Sequence, residues 1–123
     1  MPWDLKPDRP IYTQLVEHIE WMILSGVYPP GSKLPSVRDL AKEASVNPNT
    51  MQRALAQLEE DRLIITHRTS GRSITEDSEM IQKARIRIAR EQVSEFLEKM
   101  KKLGFDKKEI LSIINNMIEE VGK

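Results

Sequence analysis

The stretch that decides the fold is Ser36-Val37-Arg38-Asp39-Leu40-Ala41-Lys42-Glu43-Ala44-Ser45-Val46-Asn47-Pro48-Asn49-Thr50-Met51-Gln52-Arg53-Ala54-Leu55-Ala56. It opens on a capping signature: the Ser36 hydroxyl can accept from the backbone three residues on, and Asp39 can reach back. Val37, Leu40, Ala41 and Ala44 form a short apolar face, so the pattern predicts a helix over 36–43. Ser45-Val46-Asn47 is a turn. Asn47 is a favourable N-cap and Pro48 suits the first position of the next helix, which runs to about Asp61. Two helices joined by so short a turn read as a helix-turn-helix.

The second of these helices has two unlike faces. At about 100° per residue, Asn49, Gln52, Arg53 and Ala56 share one side, and Met51, Ala54, Leu55 and Leu58 take the other. The first side is small and polar and contains no acid; Glu59-Glu60-Asp61 is held back to the helix end. Asn and Gln pair with adenine, and Arg with guanine, in the major groove. An ordinary solvated face would mix Lys and Glu at four-residue spacing.

Upstream, Ile11, Leu15, Ile19 and Met22, with Val16 and Ile23 beside them, predict a helix over 10–25 with Pro10 in its first position and Gly26 at its stop. Tyr28-Pro29-Pro30-Gly31 then turns the chain. Downstream, Leu63–Arg68 reads as a strand, Thr69-Ser70-Gly71 as a turn and Arg72–Thr75 as a returning strand. Helix, helix, turn, helix and hairpin in this order make a winged helix-turn-helix. Asp77 or Ser78 can cap a further helix, about 79–103, carrying Ile81, Ala84, Ile88, Phe96, Met100 and Leu103. Gly104 stops it, and Asp106 with Glu109 caps a last helix, about 107–120.

The expected fold is mainly α with a small β-hairpin: a winged helix-turn-helix head over 1–76 and a two-helix C-terminal dimerisation tail over 77–123. A two-helix hairpin cannot build a core alone. The apolar residues of the last helix form a stripe wider than one neighbour would cover. A second copy of the chain is expected to cover it, through Phe96, Met100, Ile110, Ile113, Ile114 and Met117. Packing on the head is the alternative.

Composition narrows the function. The 123 residues carry 19 basic and 19 acidic side chains, but residues 32–75 hold seven basic against five acidic. Cysteine is absent, which excludes disulfides, thiolate metal sites and cysteine nucleophiles. The two histidines, His18 and His67, are far apart, and no nucleophile–base pair or paired carboxylates appear. No catalytic residue, metal or cofactor is therefore expected. Gly26–Lys33 mimics a phosphate loop, but its Ser and Lys stand in the wrong order and its two prolines remove N–H donors. No apolar run approaches the ~20 residues of a membrane span, and the N-terminus lacks a leader pattern, so no membrane partner and a cytoplasmic location are expected. Arg38 sits in a first helical turn, where a cation is opposed by a few tenths of a kcal/mol; a role as phosphate clamp would account for it. Arg68, Thr69, Ser70, Gly71 and Arg72 could straddle phosphates or enter the minor groove.

Three blocks in this order, Pro10–Leu15, Gly31–Ala41 and Val46–Leu55, resemble the head of GntR-family bacterial regulators, over roughly residues 9–75. The resemblance implies DNA contacts at Arg38, Asn47, Asn49, Thr50, Gln52, Arg53, Arg68 and Gly71. The wing departs from the family pattern: Thr69 stands where a first glycine is usual and Ser73 where an aromatic is usual. Arg62 also replaces a usual glycine before the first wing strand. The short tail resembles the YtrA type, in which the tail chiefly dimerises the protein and the regulated genes often encode ABC transporters. The expected function is that of a sequence-specific transcription regulator, a repressor. As a homodimer it would bind a double-stranded DNA operator of two half-sites, the third helix in the major groove and the hairpin on the adjacent groove. A winged helix used for protein–protein recognition is the alternative. A small-molecule effector is left open. The tail has little room to enclose one, so it would act between protomers or at the joint around Thr75 to Ser78.

Overall fold

The computed structural model describes residues 3–122. In chain order the elements are α1 (Ile11–Leu24), α2 (Val37–Ala44), α3 (Pro48–Glu60), β1 (Ile64–His67), β2 (Gly71–Ile74), α4 (Ser78–Lys102) and α5 (Lys107–Val121). They form a winged helix-turn-helix followed by two further helices. The chain divides into two compact units, residues 1–85 and 86–123, with α4 contributing to both. No helix among the described residues is long and apolar enough to cross a membrane.

The core of the first unit is built from the faces that the hydrophobic periods mark. Leu15 and Ile19 of α1, Leu40 of α2, and Met51, Leu55 and Leu58 of α3 are fully buried, with Leu63, Ile64 and Ile74 from the hairpin. Ile81 and Ala84, in the first two turns of α4, join the same cluster. Arg85 adds a tie, its guanidinium donating to the Leu24 carbonyl at 3.2 Å.

Local chemistry sets the helix ends. Ser36 Oγ accepts from the Asp39 N–H at 3.1 Å, starting α2 at Val37; only this half of the expected reciprocal pair forms. Asn47 Oδ1 accepts from the Asn49 N–H at 2.8 Å, and Pro48 takes the first position of α3. Asp77, not Ser78, caps α4, accepting from the N–H groups of Glu79 and Met80. Asp106 and Glu109 complete a full capping box at α5. Pro10 differs from expectation. It is the N-cap of α1 rather than its first helical residue, with ψ at 133°, and supplies no side-chain cap. The segment before α1 is held instead by Gln14, which is buried. Its amide accepts from the Lys6 N–H at 2.7 Å and donates to the carbonyls of Lys6 and Arg9 at 2.6 and 2.9 Å.

The hairpin pairs β1 and β2 antiparallel, with Ile64 opposite Ile74 and His67 opposite Gly71. A third edge, missed in the sequence, lies beside β2. Ile74 N–H donates to Ser32 O at 2.8 Å and Leu34 N–H to Arg72 O at 2.9 Å, while Gly31 N–H donates to Ile74 O at 2.9 Å. Pro30 and Pro35 frame this segment and make it read as a turn, although the four residues between them are free to pair.

In the second unit, Gly104 takes a φ of +90° and breaks the chain between α4 and α5. Ile110 is buried there, whereas Leu103, expected on a packed stripe, is 68% exposed.

Candidate nucleic-acid interface

The turn between α2 and α3 is tight. Ser45 adopts φ 57° and ψ 47°, a left-handed conformation that lets the chain reverse after α2. Val46 N–H then donates back to Ala41 O at 2.9 Å. This turn presents the start of α3 to solvent while Met51, Ala54, Leu55 and Leu58 anchor its other side.

Asn49, Gln52 and Arg53 are all exposed on that presented face, and Thr50 is half-buried beside them. Asn47 is exposed too, but its carbonyl oxygen is engaged in the cap, which leaves its NH2 group outward. Neither α1 nor α3 carries an acid in its first turn. The positive ends of the two helix dipoles are therefore not neutralised there. Asn49, Thr50 and Arg53 line one wall of an open cleft of about 680 Å³, and Pro10, Ile11 and Tyr12 line the other. Across it the Arg53 guanidinium carbon lies 3.7 Å from the centre of the Tyr12 ring. No local period in the sequence brings the second residue of α1 onto the sixth of α3.

Arg38 projects from the second position of α2 and is exposed. Arg68 and Gly71 belong to a different element, the hairpin tip, where Arg68-Thr69-Ser70 links the strands. Gly71 has φ +86°, so the tip needs glycine here although Thr69 lacks it. His67 Nε2 and Ser73 Oγ lie 2.6 Å apart across the ladder, so the serine that departs from the usual aromatic is tied to its neighbour strand. Among the described residues, Arg38, Arg53 and Arg68 make no ion pair. Three exposed cations without acidic partners remain free to meet an external anion.

The second unit brings together the six residues expected to dimerise. Phe96, Met100, Ile110, Ile113, Ile114 and Met117, with Ile118 and Val121, line one apolar groove of about 580 Å³. Ile110 forms its buried floor, while Met117 and Val121 are 56% and 83% exposed.

Comparison with known proteins agrees with this architecture. The family model for bacterial regulatory proteins of the gntR family matches residues 11–74. The HTH-type transcriptional regulator YhcF of Bacillus subtilis is 36% identical over 111 residues, covering 90% of this chain and 92% of that one. The HTH-type transcriptional repressor YtrA of the same organism is 40% identical over 75 residues, 61% of this chain and 58% of that one. Among solved structures, a GntR family transcriptional regulator from Listeria monocytogenes superposes with a TM-score of 0.85 at 40% identity, covering 91% of this chain and 98% of that one. The DNA-binding domain of AraR in complex with an operator superposes with a TM-score of 0.53 at 25% identity, covering 58% and 88%.

Proposed function

The chain belongs to the GntR family of bacterial transcriptional regulators, with YtrA-type homologues among its relatives, and from that premise we propose that it is a homodimeric repressor of a two-half-site operator. One observation carries the reading: Asn49, Gln52 and Arg53 stand exposed together on α3 while the opposite side of the same helix is core. In the major groove their amides read adenine and the guanidinium reads guanine. Arg38, Asn47 and Thr50 hold the helix on the phosphate backbone, and Arg68 and Gly71 place the wing on the adjacent groove.

The dimer rests on the apolar groove of the second unit. A surface of this kind, left open on one protomer, is covered when a second copy docks with two-fold symmetry. Two heads then read two half-sites, which multiplies modest half-site affinities. Repression follows from occupancy: a bound operator is closed to the transcription machinery. The resemblance to the YtrA type points to an operon for an ABC transporter as the target.

The test is a binding titration of the full chain against a two-half-site duplex selected from a random library, repeated from low to high salt. Affinity should fall steeply with salt, by about 0.9 logarithmic units per neutralised phosphate for each tenfold rise. Binding insensitive to salt, or equal for selected and scrambled duplexes, would refute the reading.

A further inference from the structure

Resting on the reading that α3 enters the major groove, we propose that Tyr12 is a specificity-determining residue: it holds the Arg53 guanidinium in the pose that reads a base. Tyr12 belongs to neither the helix-turn-helix nor the wing. It is the second residue of α1, half-buried, one turn before the fully buried Leu15. α1 packs chiefly against α3, so the ring is carried on a rigid element that faces the first turns of the reading helix.

The geometry suits positioning better than simple packing. The Arg53 guanidinium carbon is 3.7 Å from the ring centre, well inside the range of a cation–π contact. Among the described residues Arg53 makes no hydrogen bond or ion pair that would compete for it. A guanidinium donates from its edge and stacks through its face. A ring on its face therefore restricts the flexible side chain without consuming the N–H groups that a guanine would accept. Free arginine has to lose its rotamer freedom on binding; an arginine already stacked has lost part of it. The attraction also strengthens when DNA excludes water from the cleft, because cation–π contacts gain when desolvated.

The consequence concerns discrimination more than affinity. The ring of Tyr12 stacks on the Arg53 guanidinium, so its loss should relax the base pair that Arg53 reads more than the others. The experiment uses the full chain, a duplex selected from a random library, and variants of it substituted at each base pair in turn. Tyr12→Leu keeps an apolar side chain at the site but removes the π face. It should lower discrimination at a single base pair about three- to thirtyfold. Tyr12→Phe should restore it. In an Arg53→Ala background, Tyr12→Leu should change discrimination no further. Thermal unfolding confirms that each variant is folded.

The outcomes separate the inference from the reading beneath it. If Arg53→Ala leaves discrimination intact at every position, the base-reading role of Arg53, on which the inference rests, fails. If Arg53→Ala relaxes one position and Tyr12→Leu does not, the positioning role fails alone. Equal weakening of all duplexes by Tyr12→Leu would make the ring a packing group. Equal losses in Tyr12→Phe and Tyr12→Leu would make the hydroxyl the active feature, and each of these also overturns the proposal.

Discussion

The carboxylate of Glu76 lies against Gly31, with Oε1 2.8 Å from the point where a Cβ on that glycine would stand. Gly31 also has φ +78°, and its N–H donates to Ile74 O, so it begins the third edge of the wing. Gly31→Ala should destabilise the head by about 1–2 kcal/mol, chiefly through the left-handed backbone. The flexible Glu76 side chain can swing away, so adding Glu76→Ala should recover little of the loss. Urea unfolding of the three variants decides between backbone strain and crowding; a full rescue by Glu76→Ala would put the cost in the contact instead.

Arg62 shows the opposite sign. It holds φ 65° at the position where the family usually has glycine, between α3 and β1. A residue with a Cβ is strained there, and glycine is not, so Arg62→Gly should stabilise by about 1 kcal/mol. A higher melting temperature is the expected result. An unchanged or lower one would mean that Arg62 makes compensating interactions in the folded head.

Arg53 and Arg38 should fail in different ways. Arg53→Ala is expected to cost about 1–3 kcal/mol on the selected operator and to relax preference at one base pair. Arg38→Ala should weaken binding to every sequence alike and flatten the salt slope by about one unit. Titrations against matched and substituted duplexes at several salt concentrations distinguish the two patterns. The same pattern for both variants would contradict the division between base reading and phosphate clamping.

The groove between Phe96 and Val121 gives a prediction about assembly. A charge placed there must either stay in water or be buried unpaired, at a penalty of several kcal/mol. Ile114→Lys and Met117→Glu should therefore leave a monomer of 14.2 kDa at micromolar concentration, where the unaltered chain is expected to sediment as a dimer. Both variants should still melt cooperatively, since the head has its own core. A dimer that survives both charges would move the interface elsewhere.

His18 provides a pH dependence. Its ring stacks on Trp3 with centroids 3.9 Å apart, and burial holds its pKa below the ordinary histidine value. In the unfolded chain His18, titrating at about 6.5, then binds the proton more readily than in the folded one. The sign follows: the contribution is present above that pH and is lost as pH falls through the lower folded value. The urea midpoint should drop from pH 7 to pH 5, and His18→Phe, which keeps a ring against Trp3, should flatten that drop. Parallel curves for the two proteins would remove His18 from the account.

What could be read in the sequence was what neighbouring residues determine. Ser36, Asn47, Asp77 and the Asp106–Glu109 pair act within three residues of themselves, so the helix starts they cause were visible, as were the core faces of α1 and α3. Arg62 was visible as a departure from a pattern, though only the backbone shows why glycine is usual there. The Tyr12–Arg53 stack, the Trp3–His18 stack and the Gln14 clasp were not visible, because each depends on how two distant segments meet. The pairing of Ser32 and Leu34 with β2 was hidden for another reason: the surrounding prolines and glycine announce a turn and carry no alternation.

That pairing has a consequence for how the head assembles. The helices and the β1–β2 hairpin are local and can form early, whereas joining Ser32 and Leu34 to β2 must close a loop containing both α2 and α3. The edge should therefore lock last, once the helices between have docked. The amide protons of Leu34 and Ile74, both buried and both donated across this seam, then become markers of the finished head. They should exchange with solvent deuterium only when the whole unit opens, while those of the outer wing tip exchange through local fraying.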